Sequence, residues 1–178
     1  MLAGKRSLGL FAGLALAAWA SGLPSPPAAL AQAVGTTKAA TGGPFFGMKG
    51  AWTGAGTVTA SDGSSERIKC RVSYTTTPVP VALHQNMRCA SASYAFDIVT
   101  DIESNADGIF GRWSELTRNV TGDFTGRVMG DTIEGQVMGF GFSVGLAVLT
   151  RGDQQAISIR AAGAKFTDVA ITLKRDGP

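Results

Sequence analysis

Six features of this chain carry residue types that could do chemistry. Gly141-Phe142-Ser143-Val144-Gly145 matches Gly-x-Ser-x-Gly, the strained turn that exposes a nucleophilic serine. That device needs a strand before the serine, a helix after it and a histidine later in the chain. No histidine follows Ser143, and its flanks read as strand, so hydrolase chemistry is not expected. Glu103 to Gly108 places oxygen-bearing side chains at alternate positions with glycine sixth, like the first half of a calcium loop. It departs at both ends: Glu103 stands where Asp is usual, and Ser114 falls on the twelfth position, with Glu115 one place late. A polar hairpin turn explains the same residues.

Arg151-Gly152-Asp153 is an adhesion-type tripeptide, but its residue types are those of a tight turn. Asn119-Val120-Thr121 is a formal glycosylation sequon. His84 is the single histidine and has no neighbouring metal-ligand types, so a surface or loop position is expected. Cys70 and Cys89 complete the inventory. They form no Cys-x-x-Cys, which argues against a redox pair or a zinc site. A structural disulfide between them is the expectation. No acid–base pair stands out. The chain reads as non-enzymatic, with no catalytic residue, metal or cofactor assigned.

The elements that must position these residues begin after a leader. Lys5 and Arg6 precede an apolar run from Leu8 to Ala20, then Pro24, Pro26 and Pro27, then Ala29-Leu30-Ala31-Gln32-Ala33 with small residues suited to cleavage. This layout predicts a signal peptide over 1–33. Its 13 apolar residues are fewer than the ~20 of a spanning helix, so no transmembrane segment is expected in the mature chain. Export to the periplasm or the medium follows as an expectation. Without Lys5 and Arg6, 14 basic residues face 13 acidic ones, which gives no reason to expect nucleic acid as a partner. Residues 34–46 lack any period and read as a flexible arm. Residues 47–176 read as one domain.

From Met48 onward the pattern has period two, and no helical period of useful length appears. Met48, Gly50, Trp52, Gly54, Gly56 and Val58 share one face of the first strand. Ile68, Cys70, Val72 and Tyr74 share a face of the second, against Arg67, Lys69, Arg71 and Ser73. Leu83, Gln85, Met87 and Cys89 form the inward set of the third. If the second and third strands pair antiparallel with Cys70 opposite Cys89, then Val72 faces Met87 and Tyr74 faces Gln85. The apolar sets match in that register.

Tyr94, Phe96 and Ile98 begin the fourth strand. Ile109, Gly111 and Trp113 form the fifth; Phe124 lies on the sixth and Ile133 on the seventh. Residues 139–149 are apolar or small on both faces, which predicts a doubly covered strand or a cavity floor. Two more strands follow, one with Gln155, Ile157 and Ile159, the other with Val169, Ile171 and Leu173. About eight to ten short strands with tight turns predict an all-β antiparallel meander closing into a small barrel.

Trp52 and Trp113 each follow a glycine by two residues, and the spacing predicts that each glycine makes room for its ring. Gly50-Ala51-Trp52 is similar to the Gly-x-Trp that opens lipocalin-like (calycin) barrels. The resemblance implies that Trp52 closes one end of the barrel and that the other end admits a small apolar ligand. The chain departs from that family in having no mid-chain Thr-Asp-Tyr and no clear C-terminal helix. It otherwise resembles uncharacterised exported proteins of Gram-negative bacteria.

A periplasmic binding barrel is therefore expected, with Trp52, Tyr74, Met87, Phe96, Trp113 and Phe124 lining the ligand space. The alternative is an interaction or inhibitor module with a filled core, engaging an envelope protein or an anionic surface through Arg67, Lys69 and Arg71. A lipid-facing barrel is disfavoured by the mid-strand charges of those residues and of Asp123 and Arg127.

Overall fold

The computed structural model describes residues 42–79, 81–161 and 166–177. The expected leader and most of the expected arm lie outside the described residues. Ten antiparallel strands follow one another: β1 (Gly50–Ala60), β2 (Ser65–Thr76), β3 (Ala82–Ala90), β4 (Ala95–Asn105), β5 (Gly108–Glu115), β6 (Val120–Met129), β7 (Thr132–Gly139), β8 (Phe142–Arg151), β9 (Gln154–Ala161) and β10 (Phe166–Arg175). Each pairs with its sequence neighbours, and β1 closes on β10. Closure removes every sheet edge. The all-β meander read from the sequence is the observed fold.

The reason is the side-chain alternation itself. In β2 the inward Ile68, Cys70, Val72 and Tyr74 are buried, and the outward Arg67, Lys69, Arg71 and Ser73 are exposed. A one-residue slip would reverse both sets. The β2–β3 register places Cys70 opposite Cys89, Val72 opposite Met87 and Tyr74 opposite Gln85, as the two apolar sets require. Cys70 and Cys89 are joined in a disulfide, 19 residues apart in sequence.

Three local expectations change. Tyr94 precedes β4 rather than joining its inward set, and β4 runs on to Asn105. Residues 139–149 are not one strand. A two-residue turn, Phe140-Gly141, divides them, and Gly141 adopts φ 78, which favours glycine. The remainder, β8, points Val144 and Leu146 inward, while Gly145, Ala147 and Leu149 take the outward parity. Its apolar outer side is simply the outer wall.

The third change concerns the glycines. Trp113 lies against Gly122 on β6 and Gly139 on β7, across the sheet from it. A Cβ on Gly122 would stand 1.9 Å from the Met138 carbonyl oxygen and 2.7 Å from Trp113 Nε1. Gly111 instead meets the Asp101 carbonyl and Ile102 of β4, and Gly50 is close to Arg175. The room for each ring is thus made by partner strands or by a plug, not by the glycine two residues earlier. Phe124 repeats the device, with its ring over Gly126 and Gly135, which are opposite one another.

Candidate functional site

The meander puts alternate loops at opposite ends of the barrel. One end holds the start of β1, the end of β10 and the β2–β3, β4–β5, β6–β7 and β8–β9 connections. It is closed. Phe45 and Met48, which precede β1, fold into it beside Trp52. The Trp52 indole N–H donates to the Met48 carbonyl at 2.8 Å. The Arg175 guanidinium lies 4.2 Å from the centre of the Trp52 ring and donates to the carbonyls of Gly47 and Lys49. One cation thus covers the aromatic face and holds the plug in place.

Tyr74 meets Trp52 edge-on at 6.5 Å and donates its hydroxyl to Gln155 Oε1 at 2.7 Å. Gln155 in turn donates to the Thr150 hydroxyl at 3.0 Å. Both buried polar groups are therefore satisfied. Burial pushes the Tyr74 phenol well above its usual range. None of Phe45, Met48, Trp52, Val72, Tyr74, Leu83, Ile109, Ile133, Gln155 and Leu173 is more than 7% exposed.

The other end carries the β1–β2, β3–β4, β5–β6 and β7–β8 loops. Here Val58, Ile68, Cys89 and Val144 are buried, but other inward side chains are incompletely covered. Phe96, Ile98, Val137, Leu146, Ile159 and Phe166 pack on the core but are only partly buried. A register shift between Thr59 and Ala60 sets Phe166 opposite Ala60, on the inward parity. Trp113 sits 5.9 Å from Phe142, which is 38% exposed at the rim. The Trp113 indole N–H donates to the Met138 carbonyl at 3.0 Å, and the ring itself is buried.

The rim is shaped by Glu115. Its carboxylate accepts the amides of Asp97 (3.1 Å), Thr117 (3.2 Å) and Arg118 (2.8 Å) and the Thr117 hydroxyl. Burial raises the pKa of this carboxyl, but those hydrogen bonds outweigh burial and hold it at about 2. Both oxygens are committed to the β5–β6 turn, which also carries Asn119 at φ 52. Arg118 lies 5.3 Å from the centre of the Phe96 ring, and Tyr94 stacks on the same ring at 6.2 Å.

Five of the six residues expected to line the ligand space belong to one continuous core, Phe96 at its margin, but they are spread from one end of the barrel to the other. Trp52 and Tyr74 belong to the closed end. Phe96 and Trp113 lie at the opposite end, Phe124 on its glycine shelf, and Met87 between Val72 and Ile98. Phe142, Phe166 and Glu115 were missed. Phe142 was hidden in the apparent nucleophile elbow, and Phe166 needs the register shift to point inward. Glu115 was legible only as a late calcium-loop position. The remaining motifs have structural uses. Ser143 donates to Gln136 on the outer wall, and Asn105 Oδ1 accepts the Asp107 amide in its turn. Arg151 pairs with Asp131 at 3.2 Å.

The outer wall has two concavities. One, of about 410 Å³, runs over small residues including Ala55, Ala147, Ala156 and Ala170. The other, of about 730 Å³, lies between the β2–β3 connection and β5. It contains His84, which is hydrogen-bonded to Asp101 through Nδ1 (2.6 Å) and to Asn86 through Nε2 (3.0 Å). Both ring nitrogens of this histidine are engaged, and no cluster of three or more His, Cys, Asp or Glu suited to a metal occurs among the described residues. Arg67, Lys69 and Arg71 stand exposed on the outer face of β2, while the neighbouring Arg88 pairs with Asp97 at 2.7 Å. No helix among the described residues is long and apolar enough to cross a membrane.

No protein-family model matches the chain, and no curated protein matches it. Solved structures do. Rv2717c from M. tuberculosis superposes with a TM-score of 0.57 at 15% identity, over 75% of this chain and 95% of that one. The S-type phycobiliprotein lyase CpeS from Guillardia theta gives 0.49 at 11% identity, over 73% and 89%. The likeness to Rv2717c is one of fold.

Proposed function

We propose that this chain is an exported, non-catalytic barrel that holds a small apolar ligand at the end bounded by the β5–β6 and β7–β8 loops. The observation that carries the reading is the contrast in interior burial. Most inward side chains at the Trp52 end are fully packed, Trp52, Phe45 and Leu173 among them. Those from Phe96 to Phe166 at the other end keep accessible apolar surface that a ligand would cover. Trp113 and Phe142 would form its aromatic wall, with Phe96 facing them from β4. Binding rather than catalysis is supported by the state of Glu115, the buried carboxylate there. Three backbone amides and the Thr117 hydroxyl donate to it, so it serves the β5–β6 turn rather than a substrate proton. The Cys70–Cys89 disulfide fits folding in an oxidising compartment, in keeping with the leader-like N-terminus.

The test is native mass spectrometry of the protein purified without detergent, together with titration of an apolar fluorescent probe such as anilinonaphthalene sulfonate. The expected result is a retained small molecule or a probe taken up in unit stoichiometry. Phe142→Ala should weaken uptake about tenfold by removing one aromatic wall. A bare mass with no probe uptake would overturn the proposal. It would turn attention to the interaction-module alternative, for which the exposed row Arg67, Lys69 and Arg71 is the surface to mutate.

A further inference from the structure

We propose that the hairpin tips around the open end are a membrane-docking surface, with Tyr94, Leu116 and Phe140 entering the interface of a phospholipid bilayer and Arg118 facing its phosphates. The inference goes beyond ligand binding and does not depend on it. Phe140 heads a two-residue turn and is fully exposed, at 101%. The turn needs glycine at Gly141, not an aromatic at its neighbour. Leu116, at 57%, occupies the β5–β6 turn, where Glu115 and Asn119 fix the backbone and the leucine contributes nothing to the core. Tyr94, at 38%, ends the β3–β4 loop.

Three successive hairpins therefore each raise one apolar side chain at the same end of the barrel. They stand on three separate loops. That geometry suits a fluid apolar medium better than a shaped protein partner.

Charge separates this end from the other. Exposed apolar side chains also occur at the closed end, as Phe46, Val79, Val81, Val128 and Met129. There the β4–β5, β6–β7 and β8–β9 turns carry Asp107, Asp131 and Asp153, whose carboxylates would be dehydrated by a bilayer at high cost. The β3–β4, β5–β6 and β7–β8 loops carry one cation, Arg118, and no carboxylate of their own; the carboxylates against them, Glu66 and Glu115, already accept backbone amides of these loops. Asp62 lies in the β1–β2 loop, so the docking face is the β3–β8 side of the rim.

The test uses the full chain as isolated from the expressing cell, its N-terminus read by mass. It is sedimented with vesicles of phosphatidylcholine, with and without phosphatidylglycerol. The double variant Leu116→Ser with Phe140→Ser should lower vesicle partition roughly tenfold or more, with circular dichroism and probe uptake unchanged. Arg118→Gln should weaken binding about fivefold on phosphatidylglycerol-containing vesicles and little on phosphatidylcholine alone.

A leader still on the chain would bind vesicles in parent and variant alike, so tip-dependence isolates the docking surface. Phe140→Trp supplies a second readout, the added emission at position 140 being quenched by brominated lipid. Equal partition of parent and double variant, with no bromine quenching at 140, would overturn the proposal. So would a serine-sensitive self-association without vesicle binding, which would assign the tips to a protein interface. A chain that takes up no apolar probe yet sediments through its tips would sink the ligand reading and keep this one.

Discussion

The two ends of this barrel are built from the same strands yet treat their interiors differently. At the start of β1 the strands alone do not fill the space. Residues from outside the sheet finish it: Phe45 and Met48 fold in, and Arg175 reaches back from the last strand over Trp52 to the plug's carbonyls. At the far end the described loops are too short to do the same. Phe140-Gly141 is two residues long, and Glu115 draws the β5–β6 turn tight around its own carboxylate. The inward faces of β4, β7, β8 and β9 there keep partly exposed Phe96, Ile98, Val137, Leu146 and Ile159. Closing a barrel thus takes chain that is not strand, and among the described residues such chain fills the Trp52 end.

The sharpest way to break the comparison is to truncate one aromatic at each end. Trp52→Ala removes a fully buried ring together with its bond to Met48 and its contact with Arg175. It should cost about 3–5 kcal/mol of unfolding free energy in urea. Phe142→Ala at the open rim should cost under about 1 kcal/mol, because its ring is already partly in water. Equal losses at the two positions would mean that the ends are packed alike, and the proposed mouth would go with them. Next in size is the cross-link. Replacing Cys70 and Cys89 together with alanine should cost about 3 kcal/mol, as expected for a short closed loop. A melt under reducing conditions should match that variant.

The middle of the barrel gives a third, smaller test. Phe124 lies over Gly126 and Gly135, and a Cβ on Gly135 would meet the ring at 2.6 Å and the Thr125 carbonyl at 2.4 Å. Gly135→Ala should therefore destabilise by about 1–3 kcal/mol through overpacking. Shortening the ring in the double variant Gly135→Ala with Phe124→Leu should recover part of that loss. A neutral Gly135→Ala would show that the shelf is looser than the described contacts.

The legible part of this structure is what period two can encode. Alternation in β2 and β3, anchored by Cys70 opposite Cys89, was enough to set their register residue by residue. Turn residues at Ser61-Asp62-Gly63-Ser64 and Gly130-Asp131 coincide with the breaks between β1 and β2 and between β6 and β7. The illegible part depends on contacts across the sheet or between distant segments. Phe45 sits in a stretch without period, so nothing in the sequence ties it to Trp52. Arg175 reads as a C-terminal surface charge until β10 closes on β1. The segment 139–149 hides a turn because Phe140 is apolar in a place where turns are usually polar, the same feature that makes it a candidate for docking. Gln155 did carry a signal. A glutamine on the inward parity beside Ile157 and Ile159 requires a buried partner, and Tyr74 is that partner.

The smallest predicted effect concerns acid and the open rim. Glu115 has a folded-state pKa of about 2, against 4.5 for an ordinary glutamate. A depressed carboxyl stabilises the folded state above the unfolded value and loses that contribution as pH falls through the folded one. Its share of stability should therefore be intact above about pH 4.5 and disappear between there and about pH 2. Glu115→Gln removes the charge but keeps the size. One amide oxygen can still accept, whereas the amide nitrogen now faces the Arg118 N–H, donor against donor. The variant should lose about 1–2 kcal/mol at neutral pH. Its melting temperature should then fall less steeply than the parent's between pH 4.5 and 2, so that the two curves converge in acid. The closed end supplies the control, since its buried polar pair, Tyr74 with Gln155, does not titrate in that range. Parallel curves for parent and variant down to pH 2 would show that Glu115 is not the group that holds the β5–β6 turn. The tight rim, and with it the position of Leu116 and Arg118, would then need another cause.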